Sequence, residues 1–463
     1  MNKEKLFNKL SINVVITLLS ILLFIFCFLV ASLIDQNTFY KFFSTISLQV
    51  IESNKDIIDK AGYYYDVSAY ASMSLVDQCQ AFYPMFSWLT RYLFHPQTFE
   101  QAVIGLKTIS CICFIIGIPL FFDLIERISN NKTIAYLLTF IYTISPMAIF
   151  RVIGYAEGFF ALLSLIFLSL ISNIKPDRKA IYIGIFFTTF IMSVTRPISL
   201  QLIFSASITL IIIAFIEKSK NKVGWGEVSE IYRQKYKHLI FISLIIFFAT
   251  IIGYSVYGFF CLQSRGDFLA PFHDQKLWGK MLGFYPQIFF SLEYPLFEQM
   301  SLYFPIILLI GIIICVYSFI NSSSIEVFVP PFPLFWGLIS LYPSILIVIY
   351  ILTFLIKRRN RNSLTTIDLS NSHKAKELFT NYTFWFCFSF VLSHVLINLF
   401  TVDKIYSLAR FTFSLPFFFV FLGYILQNVK HRGIADILKL FVLIEAIALI
   451  EQWVRYGRNL WLG

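Results

Sequence analysis

Five groups of polar residues interrupt an otherwise apolar chain, and their types are those that move protons and hold anions. Asp66 lies in "YYYDVSAYASMSL" and Tyr155 with Glu157 in "GYAEG"; Arg196 lies in "TRP". Asp267, His273, Gln275 and Trp278 share "RGDFLAPFHDQKLWGK", and Arg410 lies in "SLARFTF". A positioned carboxylate takes a proton from a hydroxyl, and arginine grips phosphate in a planar fork. Brought together, such groups suit proton transfer beside an anionic leaving group.

Each residue also has a plainer reading. Asp66 reads equally as a loop acid. Glu157 opens a helix, where the dipole favours a carboxylate. Arg196 and Arg410 are long enough to snorkel towards lipid headgroups. His273 and Asp274 are neighbours in sequence, and adjacent residues on a helix do not face each other. Phe82, Tyr83, Phe86 and Trp88 fit an interfacial aromatic belt.

What must position these residues follows from composition. The 463 residues are 58% hydrophobic, 19% aromatic and 14% charged, against about 25% charged in a soluble protein. Repeated apolar runs of about 20 residues each span the hydrocarbon of a bilayer. The chain therefore reads as an all-α, polytopic helical membrane protein, a single membrane domain over 1–463. The net charge of +11 fits basic cytoplasmic loops. No nucleic-acid partner is expected, because no basic stretch is interleaved with aromatics in a soluble domain.

The apolar start is too long for a signal peptide and lacks a small-residue cleavage site, so it reads as the first span. Cys111 and Cys113 form a CxC pair inside a span, which fits packing better than metal ligation. Only Cys79 reads as extramembrane, so no disulfide framework is expected. No metal-site ligand cluster appears; no cofactor or metal is predicted.

Basic loops as a ruler for the cytoplasmic side place spans near 12–34, 101–122, 133–149, 157–173, 180–195, 198–216 and 239–262. Others fall near 380–400, 411–428 and 434–453. Region 281–356 holds three candidates, 282–300, 302–320 and 334–356, of which one or three cross. The total is about 11–13 spans, with a long first extracytoplasmic loop at 35–100 that carries amphipathic helices. Residues 263–281 form an extracytoplasmic motif loop, and 357–378 a cytoplasmic one. Asp66, Tyr155, Glu157, Arg196, the 265–280 segment and Arg410 all then fall on the outer face. Arg196, Arg265, Lys276, Lys280 and Arg410 run against the usual charge bias there, and ionisable groups near the bilayer are functional candidates. Sequons at Asn131 and Asn381 fall on inside or buried segments.

In order along the chain, these groups resemble the motifs of the GPI mannosyltransferase II family and its bacterial relatives, which have the GT-C fold. The family's Trp-Asp pair is similar to "YYDVSAY", matching Asp66 and Tyr70, and is followed by "AFYPMF" from Ala81 to Phe86. Its Tyr-Thr-Glu motif resembles "GYAEG", and its Ala-Thr-Arg segment "SVTRPISL". Its Gly-Asp-Pro…Gln-x-x-Trp-Gly segment is similar to the stretch from Gly266 to Gly279, and its Ser-Leu-Pro-Arg-Tyr motif to "SLARF". Tyr65 stands for the family tryptophan, Ala409 for proline and Phe411 for tyrosine.

The resemblance implies a hexosyltransferase, most often an inverting mannosyltransferase. It would move a sugar from a polyprenyl- or dolichyl-phosphate donor to a hydroxyl of a lipid-linked glycan. Asp66 is the implied general base; Arg196 and Arg410 bind the donor phosphate. Tyr70, Tyr155, Glu157, Asp267, His273, Gln275 and Trp278 contact substrate. The implied partners are the lipid-phosphate donor, the lipid-linked acceptor and membrane lipids; a small membrane subunit is left open. The implied location is a bacterial inner membrane with a periplasmic site, or the ER membrane with a lumenal one. Two alternatives stand beside it. One is a transporter or flippase for lipid-linked sugar, which would favour midplane charges and internal repeats. The other is a GT-C enzyme using a different sugar.

Overall fold

The computed structural model describes residues 3–43, 66–79, 81–173, 179–221, 230–290, 295–321, 325–326, 366–367, 373–405, 407–428, 434–460 and 462. The chain opens with α1 (Lys3–Ile34), α2 (Gln36–Phe43), α3 (Asp66–Leu75), α4 (Met85–Phe94), α5 (Phe99–Ser129) and α6 (Lys132–Ile144). After a 3-10 turn, Pro146–Arg151, come α7 (Glu157–Ser172), α8 (Lys179–Thr195), α9 (Ser199–Asn221), α10 (Glu230–Arg265) and the short α11 (Ala270–His273). The 3-10 turns Asp274–Trp278 and Pro286–Phe289 lead to α12 (Leu296–Asn321). The final helices are α13 (His373–Phe379), α14 (Tyr382–Thr401), α15 (Leu408–Phe413), α16 (Pro416–Asn428) and α17 (Ile434–Gly457). The strand pairing among the described residues joins Ile325–Glu326 antiparallel to Thr366–Ile367.

Six of these helices are long and apolar enough to cross a membrane: Ser11–Ile34, Phe99–Ser129, Leu200–Lys220, Tyr236–Arg265, Leu296–Tyr317 and Tyr382–Thr401. The α1 helix shows how such a helix is built. Leu18, Leu22, Phe26, Leu29 and Leu33 form an exposed stripe three to four residues apart, while Ile16, Ser20, Phe24, Cys27 and Ala31 are buried. A helix in water would carry polar residues on its outer stripe; an apolar outer face is what lipid requires. The chain is a multi-pass helical membrane protein.

Between helices, association rests on packing more than on exclusion of water, and the aromatic content supplies it. Phe390 and Phe417 stack at 3.8 Å between α14 and α16, and Phe121 and Tyr142 at 4.2 Å between α5 and α6. Both sequon asparagines near helix starts are spent on capping. The Asn131 side chain accepts from the backbone of Thr133 and Ile134, and Asn381 from Phe384.

One expectation changes here. Segment 282–300 does not form a spanning helix. It holds Gly283, Pro286 and Pro295, and its backbone instead donates to the end of α14: Met281 to Thr401, Gly283 to Phe400 and Tyr285 to Leu399, at 2.8, 3.0 and 2.9 Å. Of the other two candidates, 302–320 lies within α12, and 334–356 lies outside the described residues. Within the first loop, α2, α3 and α4 are present, and α3 is mostly buried.

Candidate functional site

The polar groups come from element ends. Asp66 is the first residue of α3, Glu157 the first of α7, Arg196 follows the last residue of α8, and Arg410 lies in the six-residue α15. Local sequence explains each placement. Gly154 has φ +94, a conformation that side-chain-bearing residues rarely take, and so turns the chain out of the 3-10 segment towards Tyr155. Gly158 lets α7 approach closely: a Cβ there would lie 2.5 Å from the Arg151 carbonyl oxygen. Pro197 stops α8, because a proline supplies no N–H to continue a helix. Ser407 takes φ 57, and α15 begins immediately after it.

These ends converge on one buried cluster. Arg410 Nη2 lies 2.8 Å from Asp66 Oδ2, and Arg410 Nε lies 2.7 Å from Glu157 Oε1. Arg196 Nη1 approaches the same Glu157 oxygen at 2.5 Å. The two Glu157 contacts are close charge contacts rather than aligned hydrogen bonds. Glu157 is 1% exposed and Arg196 4%, so the carboxylate bridges two guanidinium groups out of reach of solvent. Arg196 therefore does not snorkel.

Aromatic rings complete the cradle. Phe411 lies 4.7 Å from the Arg196 guanidinium carbon and 4.9 Å from that of Arg410. Tyr155 and Phe150 lie 5.0 and 5.3 Å from Arg410. Such ring faces attract cations most strongly where water is excluded. Tyr70, 4% exposed, packs against Phe82 and Phe86 and feels the charges of all four ionic residues.

A fifth charge joins from the motif loop. The half-buried Lys280 donates to Gln275 Oε1 at 2.9 Å and feels the charges of Arg410, Arg196 and Asp66. Three cations thus interact with two carboxylates, an excess of one positive charge. Burial, then repulsion from Arg410 and Arg196, pushes the Lys280 ammonium down to about 8. Burial also raises Asp66 above the usual carboxylate range, against the opposing pull of Arg410. Burial works against the charge on Arg410, but Asp66 and Glu157 together hold it firmly protonated.

The remaining predicted residues sit apart or on the rim. His273 Nδ1 pairs with Asp267 Oδ2 at 2.7 Å, and both side chains are substantially exposed. Asp274 pairs instead with Arg265, at 2.6 and 3.1 Å. Trp278 ends a 3-10 turn; its side chain lies outside what the structure describes, as do Tyr63, Tyr64 and Tyr65.

A disulfide links Cys79 to Cys261, which corrects the expectation of no disulfide. Cys261 belongs to an apolar run, but it lies in the last two turns of α10, where it meets the loop after α3. Beside the bond, Arg265 donates to the Cys79 carbonyl at 3.2 Å and Tyr257 to that of Phe82 at 2.8 Å. The motif loop is thereby lashed to the loop that follows Asp66.

Sequence reasoning missed two further residues near the cluster. Glu298, 1% exposed in the first turn of α12, accepts from the Ala409 N–H at 3.0 Å and also bonds the backbone of Leu408 and Ser407. His394, 2% exposed in α14, stacks near Phe411 at 5.7 Å. A lone acid and a lone histidine within apolar stretches were the available signals.

Fold and site together define a multi-pass helical membrane protein with a buried arginine–carboxylate cluster at one end of its bundle. Compared with known proteins, the chain matches no family model, no curated protein and no solved structure.

Proposed function

We propose that the chain is a GT-C-type glycosyltransferase that moves a hexose, mannose foremost, from a polyprenyl-phosphate donor to a hydroxyl of a lipid-linked acceptor. The observation that carries this reading is the meeting of Asp66, Glu157, Arg196 and Arg410. Four stretches far apart in sequence, each resembling a motif of one enzyme family, supply one acid–arginine cluster.

The roles follow from the charges. The donor phosphate lies against Arg196, Arg410 and Lys280. As it takes over Arg410, it competes with Asp66 for that guanidinium and frees the carboxylate. Asp66 then accepts the proton of the attacking hydroxyl. The new bond forms between the hydroxyl oxygen and the anomeric carbon, through an oxocarbenium-like state. The bond from that carbon to the phosphate oxygen breaks, and its electron pair stays on the phosphate, where the cations stabilise it. Attack from the face opposite the phosphate inverts the configuration. Glu157, buried between the arginines, acts as a positioning residue that holds them together before the phosphate arrives.

The Cys79–Cys261 bond supports an extracytoplasmic site. Disulfides persist in the periplasm, the ER lumen and other oxidising spaces but are rare in the cytosol, and this one joins the loop after α3, the helix that begins with Asp66, to the end of α10.

The test is transfer from radiolabelled polyprenyl-phosphate mannose into lipid-linked product by the purified chain. Asp66→Asn keeps the shape and removes the proton acceptor; transfer should fall at least about 100-fold, the lower end of the range for general base catalysis. Wild-type turnover by this variant would remove Asp66 from the base role. Movement of intact donor across vesicles without product would instead indicate a transporter.

A further inference from the structure

The inference rests on the glycosyltransferase reading above and concerns a residue that reading leaves unused. We propose that His394 is a sugar-binding residue: its neutral Nε2 accepts a hydrogen bond from a hydroxyl of the glycosyl group whose phosphate lies on Arg196 and Arg410.

Three observations lead there. First, the tautomer is fixed. His394 Nδ1 lies 3.0 Å from the Phe390 carbonyl oxygen one turn earlier. A carbonyl only accepts, so Nδ1 carries the hydrogen and the neutral ring presents Nε2 as a lone pair. Second, that lone pair is buried and has no hydrogen-bond partner, in a residue 2% exposed. A histidine kept for structure normally uses both ring nitrogens; this one uses Nδ1 and leaves Nε2 without a partner.

Third, its place is set by the site. The imidazole lies 5.7 Å from the Phe411 ring, tilted by 30°, and Phe411 carries the guanidinium groups of both Arg196 and Arg410. The charged groups acting on His394 are Arg196 and Lys280, so an anion arriving at the cluster goes to the cations and not to the histidine. What suits a neutral acceptor beside a phosphate site is a neutral O–H donor. In a glycosyl phosphate the sugar is bonded directly to the phosphate, which places its hydroxyls within a ring's width of it, and His394 packs beside the ring that carries both arginines. The backbone pairing of residues 281–285 with 399–401 fixes the helix end that carries His394 against the loop that carries Lys280.

Full-length protein labelled with 15N at histidine, in lipid nanodiscs, gives an Nε2 resonance for His394 that is recognised by its loss in His394→Asn. If that variant does not fold, the resonance is recognised by elimination, substituting the remaining histidines in turn. Decaprenyl-phosphate mannose and decaprenyl phosphate are the probes, and their phosphorus resonances report binding in the same samples. The expected result is that both lipids bind and only the mannosylated one shifts the His394 Nε2 signal. If both bind and neither shifts it, or both shift it equally, the sugar contact is overturned while the phosphate site stands. If neither lipid binds, the glycosyltransferase reading falls, and this inference falls with it.

Discussion

Lys280 and Asp66 give the cluster opposite pH limits. Asp66 must be ionised to accept a proton, and burial raises the pH at which it ionises. As pH falls, Asp66 takes up its proton above the ordinary carboxylate range and kcat/KM should drop with it. Lys280 must be protonated to attract phosphate, and it loses its proton at about 8. As pH rises through that value, kcat/KM should fall again, giving a bell. Lys280→Arg replaces the titrating ammonium with a group that stays charged, so the alkaline limb should vanish while the acid limb remains. An unchanged alkaline limb in this variant would assign it to another group. Phe411 gives a second handle at this scale: two cation–ring contacts of roughly 1 kcal/mol each predict that Phe411→Leu raises the donor KM by about thirtyfold.

Among the elements, α15 depends most on a distant neighbour. It has six residues, too few to hold a helical conformation alone, and its first backbone N–H groups are bonded by the Glu298 carboxylate from α12. Glu298→Ala would bury those N–H groups unpaired, at about 1–3 kcal/mol, and let Arg410 drift. Transfer should fall by at least tenfold, while Glu298→Gln, which keeps a carbonyl acceptor, should retain more of it. Equal activity of the alanine variant and the wild type would show that α15 needs no such clamp. The same element marks where reading the sequence stops. Asp66, Glu157, Arg196 and Arg410 stand out because a charge beside an apolar run is conspicuous, and their order along the chain identifies them as a set. Lys280 is conspicuous too, as a cation on the wrong side of the charge bias, but nothing local says what it faces. Glu298 and His394 sit inside apolar stretches, with partners that are backbone groups or rings; such contacts leave no periodicity or spacing to find. The long helices were legible from hydrophobic length, but 282–300 forms no spanning helix, because its glycine and prolines break the run, and 411–428 is divided at Ser414 and Leu415 between α15 and α16.

For the molecule as a whole, the disulfide ties the first loop to the end of the longest helix among the described residues, across 182 positions. If Cys79 and Cys261 act only through one bond, the double serine variant should lose no more activity or thermal stability than either single one. Fully additive losses would show that each thiol has its own role. Denatured without reductant, the protein should take up five maleimide tags, on its five free cysteines, and seven once reduced; seven tags before reduction would mean that the bond is not formed. The span of this link also fixes an order of events during biosynthesis. The amino-terminal sulfur reaches its destination long before its mate has left the ribosome, and must wait as a thiol while the intervening segments insert. The finished cluster face is thus a late product of translation, and a chain truncated before the seventh predicted span would carry its proposed base on an untethered loop.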